Sequence, residues 1–376
     1  MNPIEELRRA RPAHLGETTV DERTRSAELG YAMAQPREAG RARRTMIRPA
    51  WGLGLAGAAA AVTAIALLVS GTGTAPRAPA VAQGTPSPVA SPKLVLSARQ
   101  VLLAAATTTA REPAGQGAYW QTVVFHSGVS QAKGYTVTTG RRVESWVPAK
   151  PGAQAWERSQ ELGAKPTTPD DEKAWRAAGS PTKITISEGG KPFEVPTAAG
   201  KVETRRWPLP DGDKVYWLGR NVSMKDLRGL PAEPDALKRW LLSSYKGTAT
   251  ETNEPMGRDE WLFSVAANIV IEMPVTPDVR AATFRMLSEL PSIKSLGEVT
   301  DAEGRTGPAV GLEITTRDDG PMLHRLIIDA ETGRGLASDV VVVSPDFSAA
   351  PGLTPGSIRF STVVKEAGWT DESPAK

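Results

Sequence analysis

Several short patterns in this chain have the residue types and spacing for chemistry. Ser130-Gln-Ala-Lys133 and Ser180-Pro-Thr-Lys183 set a lysine three positions after a serine. That spacing lets an amine draw a proton from an attacking hydroxyl. The pattern is short and common, and no Lys-Thr-Gly accompanies it, so acyl-enzyme chemistry is not expected. Gly52-x-Gly54-x-x-Gly57 matches the dinucleotide-binding fingerprint, which needs a strand before it, a helix after it and an acid about 20 residues on. Here an arginine-rich stretch from Arg41 to Pro49 precedes it and a proline-rich stretch follows. Asp170-Asp171-Glu172 would suit a cation, but Thr168 and Pro169 before it make the trio the first turn of a helix. Asp211-Gly-Asp213 and Asp318-Asp-Gly320 lack the later glutamate of a calcium loop and read as turns. His126 and His324 each fall in a predicted strand and read as structural. There is no His-Glu-x-x-His, Gly-x-Ser-x-Gly or phosphate-binding loop. No catalytic, cofactor-binding or metal-binding residue is assigned, no cofactor is expected, and the chain is read as non-enzymatic.

Composition narrows the classes further. The chain has 376 residues, 31 prolines, 35 glycines and no cysteine. Disulfides, thiolate zinc sites and a cysteine nucleophile are therefore excluded. His14 in the N-terminal segment cannot by itself build a zinc site. The net charge of +3 sits wholly in residues 1–48, which hold ten arginines against seven acids. Beyond them 35 basic and 35 acidic residues cancel, so no basic field steers nucleic acid and no nucleic-acid partner is expected.

The glycine fingerprint lies inside a longer feature. Ala50 to Val69 is uncharged, with Thr63 its one polar side chain. As a helix rising about 1.5 Å per residue it spans roughly 30 Å, the hydrocarbon thickness of a bilayer. Arg37, Arg41, Arg43, Arg44 and Arg48 precede it, and Arg77 is the one basic residue close behind it. The positive-inside rule puts the N-terminus in the cytoplasm and the large C-terminal part outside. A cleaved signal peptide is the alternative, with translation from Met46 and a site at Ala80-Val81-Ala82. Gly54, Gly57, Ala58 and Ala61 form small-x-x-x-small spacings that would let two spans pack closely, or simply belong to a small-residue helix.

The expected organisation follows: a largely disordered cytoplasmic tail (1–48), a transmembrane helix (49–70), a Pro/Ala/Ser/Thr-rich linker (71–93), an extracytoplasmic α+β domain (94–370) and a short tail (371–376). In the outer domain, Ser97 caps a helix, and strands are predicted at 118–126, 135–147 and 153–161. Thr168 opens a second helix. Helices around 236–242, 260–270 and 276–290 should form a subunit against the sheet. Short turns then separate strands at 295–301, 309–316, 322–329, 335–344 and 357–369. Strands, helices, strands give an antiparallel curved sheet with packed helices. Ten tryptophans are many, and Trp207, Trp217, Trp240 and Trp261 are candidate walls of an apolar groove, with core packing the plainer use.

The layout resembles an uncharacterised family of actinobacterial single-span membrane proteins, often encoded beside sigma factors. The carrying blocks are "LSARQVLLAAA", "WPLPDGDKVYWL" with "LRGLPAEPDAL", "TPDVRAATFRMLSELPSIKSLGEVTDAEGRTG" and "LIIDAETGRGL". More distantly, the outer domain is similar in layout to periplasmic lipoprotein-carrier and anti-sigma-partner domains. The resemblance implies a partner of the sigma-factor type. The topology, the balanced outer charge and the absent catalytic motifs give the expectation of a membrane-anchored protein that senses or binds outside and reports to that partner through residues 1–45. The expected partners are the lipid bilayer, that cytoplasmic protein and an apolar envelope ligand. The alternative is an envelope carrier or scaffold in which the outer domain, binding an apolar or lipid ligand, works alone.

Overall fold

The computed structural model describes residues 96–188, 191–209, 212–218, 220–250, 254–316, 320–344 and 353–374. The span Ala50–Val69, with Gly54, Gly57, Ala58 and Ala61, lies outside the described residues, as do the tail and the linker. Among the described residues no helix is long and apolar enough to cross a membrane.

The chain opens on helix α1 (Ala98–Thr109). Its start is set by a capping box, in which Ser97 accepts from the Gln100 amide and the Gln100 side chain returns to the Ser97 amide. Three long strands follow, β1 (Tyr119–Gln131), β2 (Thr136–Pro148) and β3 (Gln154–Pro166). Helix α2 (Pro169–Ala177) carries the acidic trio Asp170, Asp171 and Glu172 in its first turn. Asp171 accepts from the Thr168 amide and hydroxyl and from the Thr136 amide and hydroxyl. Burial works against its charge, but these four bonds outweigh it and hold the carboxyl below its ordinary value.

Small elements come next: β4 (Lys183–Glu188), β5 (Lys191–Pro196), β6 (Glu203–Pro208), β7 (Lys214–Trp217), β8 (Arg220–Ser223) and helix α3 (Met224–Arg228). Helices α4 (Pro234–Leu242), α5 (Arg258–Ile271) and α6 (Pro277–Ser288) lead into a second run of strands: β9 (Lys294–Thr300), β10 (Thr306–Thr316), β11 (Gly320–Ile328), β12 (Gly335–Val342) and β13 (Ile358–Thr370).

Nine strands form one antiparallel sheet in the order β6-β3-β2-β1-β13-β12-β11-β10-β9. Two meanders, one before and one after the helices, are joined by the pairing of β1 with β13. The fold is thus α+β with a mostly antiparallel sheet. Side chains alternate between its faces. Val124, Val310, Leu326, Ile328 and Val364 belong to the large core that holds the helices. Their neighbours Phe125, Ala309, Ile327 and Val363 belong to a second, smaller cluster on the opposite face.

Helices α1, α4 and α5 all pack on α6. Helix α5 is buried on nearly every side, from Trp261 and Leu262 to Val270 and Ile271, as expected of a helix apolar all round. The β4–β5 hairpin and α2 enclose a separate cluster of Ile184, Ile186, Val137, Ala164 and Trp175.

Candidate functional site

The face away from the helices is shaped by one bend. In the β9–β10 hairpin, Gly297 pairs with Ala309 but Ser295 pairs with Val310, leaving Leu296 as an extra residue. Gly297 supplies the positive φ, +72°, that this bulge requires. Beyond it Leu296 and Val299 pack over Ala309, Ile327, Ala337 and Val363, with Phe125 at the border. Gly307 lets the hairpin come in close, since a Cβ there would lie 2.1 Å from the Ile328 carbonyl oxygen.

The tip of the hairpin is fixed by Asp301, which is buried. Its carboxylate accepts from the Glu303 and Arg305 amides, both at 2.9 Å, and from Arg305 Nε at 2.8 Å. Arg305 Nη2 also donates to the Leu336 carbonyl at 3.1 Å. Glu303 is ion-paired with Lys365 on β13.

Between this tip and the sheet lies a half-open pocket of about 330 Å³. Its floor is β1 at Phe125–Ser127, β2 at Thr138–Gly140 and β3 at Leu162, Gly163 and Lys165, with Val363 of β13 and Ala302 and Glu303 of the tip completing it. Gly163 (φ +78°) sits at a register shift between β2 and β3, where a Cβ would lie 2.4 Å from the Thr197 carbonyl oxygen. The lining is mixed, with apolar Phe125, Leu162, Ala302 and Val363 beside hydroxyls. Thr138 shares a hydrogen bond with Thr167, and Thr139 donates to the Gly128 carbonyl. Glu303 is already neutralised by Lys365. Among the described residues the Ser127 hydroxyl and the Lys165 ammonium have no protein partner.

His126 contributes to the pocket from the strand, but alternation turns its ring to the helix side. There Nδ1 lies 3.2 Å from the Thr362 hydroxyl. Burial, and secondarily the charge of Arg141, push the imidazole down to about 4. Burial does the same to His324. Both rings are therefore neutral at pH 7, and His126 Nε2 is buried with no hydrogen-bond partner among the described residues. On that same side Arg141 pairs with Glu157 at 3.1 Å and Glu161 at 3.4 Å. Lys183, of the second Ser-x-x-Lys pattern, is paired with Glu194. Among the described residues no group of three or more His, Asp or Glu is arranged to hold a metal ion.

The four tryptophans considered as groove walls sit elsewhere. Trp217 and Trp261 are 1% and 2% exposed, within the helix-side core. Trp207 and Trp240 are half-buried and pack against that core, Trp240 with the Arg220 guanidinium 3.8 Å from its ring centre. None of the four lines the pocket under the hairpin tip. That pocket was not anticipated from the sequence. Its walls come from four strands and a turn, and none of its residues forms a short motif.

No family model and no curated protein matches the sequence. Among solved structures, the chain is similar to the complex structure of Pseudomonas aeruginosa MucA/MucB, at 13% identity and a TM-score of 0.21 over 74% of this chain and 59% of that one. It is also similar to MucB in complex with MucA(peri) (12%, 0.21, 74% and 58%) and to MucB (12%, 0.21, 72% and 60%). The chain thus spans about three-fifths of the length of the structures it matches. A likeness this slight carries no functional argument, and the family resemblance rests on the sequence blocks quoted above.

Proposed function

We propose that this chain is a non-enzymatic binding protein, anchored by Ala50–Val69, whose outer α+β domain holds a small ligand under the β9–β10 tip. The pocket carries the reading. It is half-open, small-ligand sized, and offers unpartnered polar groups beside apolar surface. Its floor is rigid sheet and its roof a turn locked by Asp301 and Arg305. Occupancy would be reported to a cytoplasmic partner of the sigma-factor type through residues 1–45.

Ala302 is exposed on the tip, so Ala302→Trp fills the pocket without disturbing the core. Full-length protein in nanodiscs is exposed to an envelope extract, and the small molecules it retains are compared by mass spectrometry with those held by A302W. Molecules retained by the native chain and missing from A302W support the reading. Identical sets overturn it. Deleting residues 1–45 separates the transducer from a carrier, since a carrier keeps its cellular activity without the tail.

A further inference from the structure

The polar groups of the pocket are unequal in sign. Its one carboxylate, Glu303, is already engaged by Lys365. Its one ammonium, Lys165, and the Ser127 hydroxyl are unengaged among the described residues. The hydroxyls of Thr138 and Thr139 are taken by Thr167 and by the Gly128 carbonyl. The unengaged groups are thus a cation and a hydroxyl, both able to donate to an anion. Beside them lie Phe125, Leu162, Val363 and Ala302, which offer apolar surface and nothing to a second charge.

We infer that the pocket selects small monocarboxylates with a compact apolar body. The carboxylate meets the Lys165 ammonium and the Ser127 hydroxyl, and the body lies on Phe125, Leu162 and Val363 beneath Ala302. At roughly 30 Å³ per water-sized unit, about 330 Å³ accommodates on the order of ten non-hydrogen atoms. A cationic ligand is disfavoured, because no carboxylate in the pocket is free to receive it. The inference rests on the pocket being the binding site proposed above.

The test uses the full chain in nanodiscs, with empty nanodiscs as blank, and three probes of one shape: 3-phenylpropionate, 3-phenylpropanol and 3-phenylpropylamine. Calorimetric titration should rank them carboxylate, alcohol, amine. The carboxylate should lead the alcohol by about threefold to tenfold, the range for one charge-assisted contact at an exposed lysine. That lead should shrink at high salt. Lys165→Gln should abolish it, so that the carboxylate binds no more tightly than the alcohol, and Lys165→Arg should retain it. Ser127→Ala should reduce it in part. Equal binding of carboxylate and alcohol by the native chain, or a lead that survives K165Q, would overturn the inference while leaving a binding pocket in place. Binding of all three probes that Ala302→Trp does not weaken, or no binding at all, would instead remove the pocket itself as the site.

Discussion

Glu112 should be among the most costly single carboxylates to neutralise in this domain. It follows the end of α1 and joins three parts of the fold. One oxygen accepts from Arg280 Nη1 of α6 at 3.0 Å, the other from Arg334 Nε before β12 at 2.8 Å. Arg334 also donates to the Ala367 carbonyl of β13 at 2.8 Å. The Arg280 side chain is 6% exposed and that of Glu112 15%, whereas Arg334 is 41% exposed. Burial first, and then the neighbouring Arg334, lower the Arg280 guanidinium to about 10, with Glu112 acting the other way. Glu112→Gln therefore leaves a buried cation facing an amide and a second cation. Breaking a buried pair costs about 3–5 kcal/mol. Arg334 can turn to water, which favours the lower end, about 3 kcal/mol. For a domain of this size about 2–4 °C accompanies each kcal/mol, so Tm should fall by about 6–12 °C. The assay is thermal unfolding of the full chain in nanodiscs followed by tryptophan fluorescence. The double change Glu112→Leu with Arg280→Met removes both buried charges and should recover most of the loss. A loss below about 1 kcal/mol for E112Q, or a double variant no more stable than the single one, would refute the reasoning.

Three further outcomes follow from the same physics. Burial raises the Glu272 carboxyl to about 8 from 4.5, so its neutral form contributes stability that is complete below pH 4.5 and lost as pH rises through about 8. His324 is depressed to about 4 from 6.5, so its contribution is present above pH 6.5 and lost as pH falls towards 4. Urea midpoints should therefore decline between about pH 6.5 and 8. Glu272→Gln should flatten that decline and, because the Glu272 loss begins above pH 4.5, unmask on the acid side a rise with pH that His324→Gln removes. Trp261→Ala should cost about 3–5 kcal/mol in urea unfolding and Trp240→Ala clearly less, because the first is enclosed and the second half-buried; equal costs would count against the core assignment. Gly307→Ala drives a methyl against the Ile328 carbonyl and should destabilise by about 1–3 kcal/mol, with hydrogen exchange rising first in the β9–β10 hairpin.

What was legible in the sequence was whatever is coded locally. Thr168-Pro169 and Thr276-Pro277 state a cap and a first turn, and α2 and α6 begin where they stand. Turn pairs such as Glu303-Gly304 and Thr332-Gly333 divide long apolar strands, and the β9–β13 meander follows them. The pieces between α2 and α4 carry weaker signals. Strand β6, Glu-Thr-Arg-Arg-Trp-Pro, is charged, exposed and ends in proline, which suits a protected sheet edge and hides a strand from pattern reading. The β4–β5 hairpin has strands of six residues with prolines in the second. Tryptophan count suggested a groove, but Trp217 and Trp261 fill the interior instead. The pocket was illegible because it depends on a bulge at Gly297 that brings Ala302 over Phe125 and Leu162, residues far apart in the chain. Lys165 reads as an ordinary surface lysine until its neighbours are known.

The most direct test of the binding account is amide chemical-shift mapping on isotope-labelled full-length protein in nanodiscs, titrated with 3-phenylpropionate and with 3-phenylpropanol. The account predicts saturable shifts for both probes concentrated at 125–127, 138–140, 162–165 and 302–303, and absent in A302W. Shifts centred on Trp207, Trp240 and the helix side, or no saturable shift at these residues, would contradict it.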